Sequence, residues 1–171
     1  MACVFDKSKS RARSTGKRFE TEIANSIRYL DEPCLMCRPD DIVGERFTNK
    51  KPGDFIMLWR GMGWLLECKT TASVSFPYGN IRQHQIDFLY KAHNSGNAGI
   101  LIIALRKNRK TRCWAIPIKK WGKKPDDRKS IPVEWFEEHG LELERIKFKL
   151  PGRKNECYGW DIAAMGELYG V

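Results

Sequence analysis

The chain has 171 residues, enough for one domain with a true hydrophobic core and too few for two ordinary ones. Its 31 Lys and Arg against 21 Asp and Glu give a formal charge of +10 and a pI near 9.4. That balance favours a polyanionic partner, nucleic acid before an anionic membrane surface. No run of about eighteen apolar residues exists and the first residues hold no apolar segment, so neither a membrane span nor a secretory signal is expected, and the expected location is a reducing cytoplasm. Six cysteines, at 3, 34, 37, 68, 113 and 157, are too scattered for a disulfide scaffold and read as free thiols. Cys34 and Cys37 form one CxxC, half of the four ligands that structural zinc needs, with no second pair following.

Residues 1–14 are basic, Ser-rich and aperiodic, the composition of a flexible arm that lies along phosphates or stays a solvated tail. From Thr15 the pattern changes: Phe19, Ile23, Ile27 and Leu30 recur at spacings of three and four and predict one amphipathic helix ending before Pro33. Residues 34–50 read as irregular and polar, with Pro39 and Gly44 as breakers and room for one short strand ending near Phe47. KPGDFIMLWRGMGWLLECKTT, Lys51–Thr71, reads as two apolar strands around a turn centred between Arg60 and Gly61. A helix is predicted within Ile81–Asn94, where Ile86, Leu89 and Tyr90 share a face and Gly96 suits the stop. GILIIALR, Gly99–Arg106, is the continuous apolar run of a central strand. A second hairpin follows, with a return strand over Cys113–Ile118; its loop KNRKTR is either a solvated turn or a phosphate contact through Arg109, Lys110 and Arg112. Pro132 opens a short helix that Gly140 closes, and the last thirty residues show no clear period. This order predicts an α/β domain over residues 15–171, a mixed central β-sheet flanked by α-helices.

Asp54, Glu67 and Lys69 interrupt the apolar strands of the first hairpin. Side chains alternate along a strand, so Glu67 and Lys69 share one face and Cys68 takes the other, as a small buried hydrophobe. With the turn centred as above, Asp54 stands opposite Glu67. Opposed β-carbons of an antiparallel pair lie about 4.5 to 5.5 Å apart, close enough for two carboxylates to hold one hard divalent cation. Such an ion activates a water and neutralises charge on a phosphorus centre, while a lysine on the same face orients that water or stabilises that charge. The competing reading is a surface ion pair between Lys69 and either acid, worth at most about 1 kcal/mol.

Gly53-Asp54 followed by Glu67-Cys68-Lys69 resembles the PD-(D/E)xK nuclease motif. SFPYGNIRQHQIDFL, Ser75–Leu89, and RKSIPVEWFEEHG, Arg128–Gly140, are similar to segments of the RecU Holliday junction resolvases, and Gly16-Lys17-Arg18-Phe19-Glu20 resembles the start of that family's first helix. The resemblance covers roughly residues 16–170. It implies a restriction-endonuclease-like core and a Mg2+-dependent endodeoxyribonuclease, with Mn2+ as a substitute, acting as a homodimer on branched double-stranded DNA in recombination and repair. RecU proteins carry a projecting stalk; with about twenty residues between Leu30 and Lys51, this chain is expected to be stalkless or nearly so. Thr15 stands where the family usually has Arg.

Carried over by position, the resemblance gives Asp54 and Glu67 to the metal together with the backbone carbonyl of Cys68. It gives Lys69 to the water or phosphate, and Glu20 a supporting acidic role. Gln85 and His84 would face the same cleft from the second helix, with helix capping and solvation as their alternative. Lys17, Arg18, Lys50, Lys51, Thr70, Thr71 and Ser75, with Arg109, Lys110 and Arg112, complete the expected DNA contacts. No nucleotide cofactor is expected. Two other readings stay open on the residues: a restriction-like or repair nicking enzyme on linear duplex, and a DNA-binding module without catalysis.

Overall fold

The computed structural model describes residues 7–39, 51–107, 110–125 and 128–171, with side chains from Thr15 onward. The first helix, α1 (Lys7–Arg28), buries Phe19, Ile23 and Ile27, the stripe read from the sequence, but begins eight residues before Thr15. Residues 7–14 therefore continue the helix backbone towards the N-terminus. Their polar composition carries no apolar period, and a helix already nucleated by a packed segment extends at little further cost.

A six-stranded sheet follows, built from β1 (Cys34–Cys37), β2 (Phe55–Trp59), β3 (Met62–Thr71), β5 (Ala98–Lys107), β6 (Lys110–Pro117) and β8 (Leu141–Leu143), in that spatial order. Only β3 and β5 run parallel; the other neighbours are antiparallel. The sheet is thus mixed, as expected. The parallel step needs a crossover, supplied by α2 (Gln83–Asn94). Short pieces complete the chain: the pair β4 (Phe76–Pro77) and β7 (Ser130–Ile131), α3 (Ile118–Trp121), α4 (Val133–His139), and the pair β9 (Arg145–Phe148) and β10 (Cys157–Trp160).

Alternation along the strands divides the core in two. Leu66, Cys68, Ile100, Ile102 and Ala104 point to the layer holding α1, Trp160 and Met165. Leu65, Leu101, Ile103 and Leu105 point to the layer holding Ile86 and Leu89 of α2 and the aromatic residues Trp121, Trp135 and Phe136. Among the described residues no helix is long and apolar enough to cross a membrane.

Three sequence expectations need correction. The segment after Pro33 opens with the strand β1; the strand expected near Phe47 lies outside the described residues. The loop KNRKTR shortens, because β5 runs to Lys107 and β6 starts at Lys110, paired with each other; Arg109 lies outside the described residues. The last thirty residues hold strands too short for a period to register. On β1, Cys34 packs on the α1 layer while the Cys37 thiol points at the Ile56 carbonyl, 3.6 Å away. Residues three apart on a strand face opposite sides, so this CxxC does not close on one metal.

Gly99 shows how tightly α2 rides on the sheet: a β-carbon there would sit 2.3 Å from the Leu89 carbonyl oxygen. Helix and strand backbones meet because the side chain is absent. Gly99→Ala is expected to lower unfolding free energy by about 1–3 kcal/mol, read by chemical denaturation, whereas alanine at the open Gly79 leaves it within about 0.5 kcal/mol.

Candidate active site

The first hairpin turns through two residues, Arg60 at φ 51° and Gly61 at φ 71°, the left-handed pair that matches strand twist. This fixes the register: Trp59 faces Met62 and Phe55 faces Leu66, where the ladder ends, and Asp54 follows beside Leu66 and Cys68. The Asp54 N–H donates to the Leu66 carbonyl at 2.9 Å, and Asp54 Oδ2 accepts the Cys68 N–H at 2.8 Å. Gly53 permits this approach, since a β-carbon there would lie 2.9 Å from the Leu66 oxygen. The glycine before the acid is therefore part of how the acid is placed.

Glu67 is 1% exposed. One of its oxygens, Oε1, accepts hydrogen bonds from Lys69 Nζ and from Gln85 Nε2. Gln85 is held from its other end, because its Oε1 accepts the Arg82 N–H at 3.0 Å in the first turn of α2. That bond fixes which end of the amide faces Glu67. The other glutamate oxygen, Oε2, is buried with no partner among the described residues. A surface ion pair is excluded by this burial.

The acids strain one another. Burial first, then the Asp54 charge, pushes Glu67 up to about 7 against the attraction of Lys69. Burial also raises Asp54, and burial followed by Asp54 raises the half-buried Glu20. Among the described residues no three His, Cys, Asp or Glu side chains are grouped tightly enough to hold a metal by themselves. Two carboxylates and a strand carbonyl nevertheless suit a hard cation that keeps several of its waters, and Glu67 Oε2 is a buried acceptor without a partner among the described residues.

Glu20 reaches the acids from α1 across a cleft of about 420 Å³ lined also by Lys17, Thr21, Arg38, Pro39, Lys51, Gly53 and Asp54. Arg38, not singled out in the sequence, lies over the Phe55 ring at 5.0 Å, and its charge is felt by both Asp54 and Glu20. It was missed because residues 34–50 read as irregular; recognising β1 would have placed it beside the hairpin. His84 is half-buried one residue before Gln85.

The other expected DNA contacts are dispersed. Arg18 pairs with Glu22 on a different flank of α1. The Thr70 hydroxyl is buried without a partner among the described residues, and the Thr71 hydroxyl accepts the Ser73 N–H. Ser75 lines a separate, mainly apolar cavity of about 510 Å³ with Lys107, Lys110 and Trp114. Arg112 is clasped by Glu142 and Glu137, so its charge is already answered within the chain. Lys50 and Arg109 lie outside the described residues.

The raised Glu67 carboxyl has a signed consequence for stability. Below about pH 4.5 the group is protonated in both folded and unfolded chains; as pH rises towards 7 the unfolded chain releases its proton first, so the fold loses stability over that window. Glu67→Gln is therefore expected to melt higher than the parent at pH 8 without divalent ions, by up to about 3 kcal/mol of unfolding free energy, and equally near pH 4.5. Magnesium should raise the parent's melting temperature at pH 8 and leave that of Glu67→Gln in place. Calorimetry across pH, with and without magnesium, reads both effects.

The sequence model of the family Recombination protein U (RecU) matches residues 33–151, more than half of the chain. No curated protein matches it. Among solved structures, Hjc of Archaeoglobus fulgidus, a Holliday junction resolvase from an archaeal hyperthermophile, is 16% identical with a TM-score of 0.46, over 74% of this chain and 95% of that one. With a match of that extent spanning both the acidic hairpin and the helix that supplies Gln85, this chain belongs to the RecU family.

Proposed function

We propose that the protein is a metal-dependent endodeoxyribonuclease that resolves four-way DNA junctions by paired phosphodiester hydrolysis, acting as a homodimer. One observation carries the reading: a buried glutamate opposite an aspartate, held on one oxygen by Lys69 and Gln85 and left open on the other. Membership of the RecU family and the surplus of cations support it.

Asp54, Glu67 and the Cys68 carbonyl would hold the ion, magnesium or manganese, with Glu20 at the cleft's far wall. When bound, the ion supplies charge neutralisation at the phosphorus centre and acidifies a water. The chain's own groups do the rest. Gln85 is a positioning residue: with Lys69 it fixes one glutamate oxygen and leaves the other without a hydrogen-bond donor from the described residues. Lys69, 21% exposed, sits between the buried acid and solvent, where its ammonium orients the attacking water and meets the charge that grows on the phosphate. Lys17, Arg38 and Lys51 line the approach and offset the acids, so that a phosphate enters a cleft whose walls alternate in sign.

Lys69→Ala, Glu67→Gln and Asp54→Asn should each reduce single-turnover cleavage of a four-way junction by at least about 100-fold while junction affinity stays close to the parent's. Matched linear, nicked and splayed substrates should be cut more slowly than the junction. A folded Lys69→Ala protein cutting at the parent rate would remove the hairpin from the mechanism.

Paired cuts across a symmetric junction need two sites related by a two-fold axis. Sedimentation is expected to give a dimer on junction DNA, with nicks on opposed strands. A monomer both free and bound would reject the paired reaction.

A further inference from the structure

On the other flank of α1 from the acid cleft, a second charged cluster stands outside the chemistry proposed above. The Glu22 side chain, 9% exposed, accepts Arg18 Nε on Oε1 at 3.3 Å and Arg106 Nη2 on Oε2 at 3.4 Å, and Arg145 Nη2 lies 3.9 Å from Oε1. Three guanidinium groups, from α1, β5 and β9, thus meet on one carboxylate. Aromatic faces hold two of them in place: Arg106 lies 5.8 Å over Phe19, and Arg145 lies 5.3 Å from Trp160 and 5.4 Å from Tyr158. Arg106 Nε is buried with no partner among the described residues.

Tying α1 to the sheet needs one cation for one anion. Three cations against one leave this flank of α1 with surplus positive charge, on a buried glutamate and a largely buried Arg106 whose two companions reach solvent. Such a cluster is complete only when a further anion joins it. Guanidinium groups fixed by ring stacking lose little freedom on binding, and their planar donors match phosphate oxygens. One short stretch of α1 joins this cluster to the cleft, because Lys17 and Glu20 line the cleft while Arg18 and Glu22 belong to the cluster.

We propose that Arg18, Arg106 and Arg145 form a second backbone-phosphate site, which grips a duplex DNA arm as it runs past α1 away from the cut. This rests on the reading of the protein as a DNA enzyme.

The experiment is equilibrium binding of the full chain to labelled linear duplex and four-way junction, in calcium, over a series of salt concentrations. Arg145→Ala is expected to lower the slope of log affinity against log salt by about 0.9 and to weaken binding several-fold at fixed salt. Arg145→Lys should restore the slope, since the charge returns without the planar fork. Arg18→Gln, at a side chain 70% exposed, provides an independent loss of slope and decides the matter if Arg145→Ala does not fold. A parent slope retained in Arg18→Gln and in folded Arg145→Ala overturns the proposal, whatever their melting temperatures, and makes the cluster an internal clamp. Absence of DNA binding by the parent overturns the DNA reading itself, so the two failures are distinct.

Discussion

Everything around the site follows from one costly placement: the carboxylate of Glu67 inside a sheet whose neighbouring strands are almost wholly apolar. A buried charge persists only with partners, and here there are two, Lys69 two residues along the strand and Gln85 from α2, while Asp54 across the hairpin opposes the charge. The parallel β3–β5 step demands a crossover, and the crossover delivers Gln85. The two-residue turn sets the register, and the register delivers Asp54. Fold and site are thus consequences of the same hydrogen-bonding geometry.

The arrangement is unstable in a useful sense. Burial and the Asp54 charge raise the Glu67 carboxyl against Lys69, and burial raises Asp54 against the Cys68 N–H and the charges of Lys69, Arg38 and Lys51. Structural ion pairs are built to minimise such shifts. Here a donor amide is given to one glutamate oxygen while the other has no partner among the described residues, and the proposed metal role rests on that asymmetry.

The same logic distinguishes the chain's cations from one another. Arg112 is paired with two carboxylates, and Arg60 is bonded to Glu32 and to the carbonyl of Val171. Arg38, Lys17 and Lys51 face the acid cleft, and Arg18, Arg106 and Arg145 crowd one glutamate. Net charge points to a polyanionic partner, proposed here to lie where cations gather around the acids and around Glu22.

Much of this was legible in the chain. The 3.6-residue period of Phe19, Ile23 and Ile27, the two-residue turn at Arg60-Gly61 and the apolar run after Gly99 each rest on local chemistry, so helix, hairpin register and central strand were readable, and with them the arrival of Asp54 beside the Leu66–Cys68 stretch. The start of α1 at Lys7 was not, because helix extension leaves no apolar mark, and β1 and β8–β10 were not, because strands of three or four residues exist only through their neighbours. Contacts between distant segments were decided by tertiary structure alone: the hydrogen bond from Gln85 that frees one oxygen of Glu67, the placement of Arg38 beside Asp54, the capture of Arg112 by Glu142, and the meeting of Arg106 and Arg145 on Glu22. Alternation and turn chemistry act over a few residues and can be read from their order, whereas the partner of a long polar side chain depends on how sheet and helices are brought together.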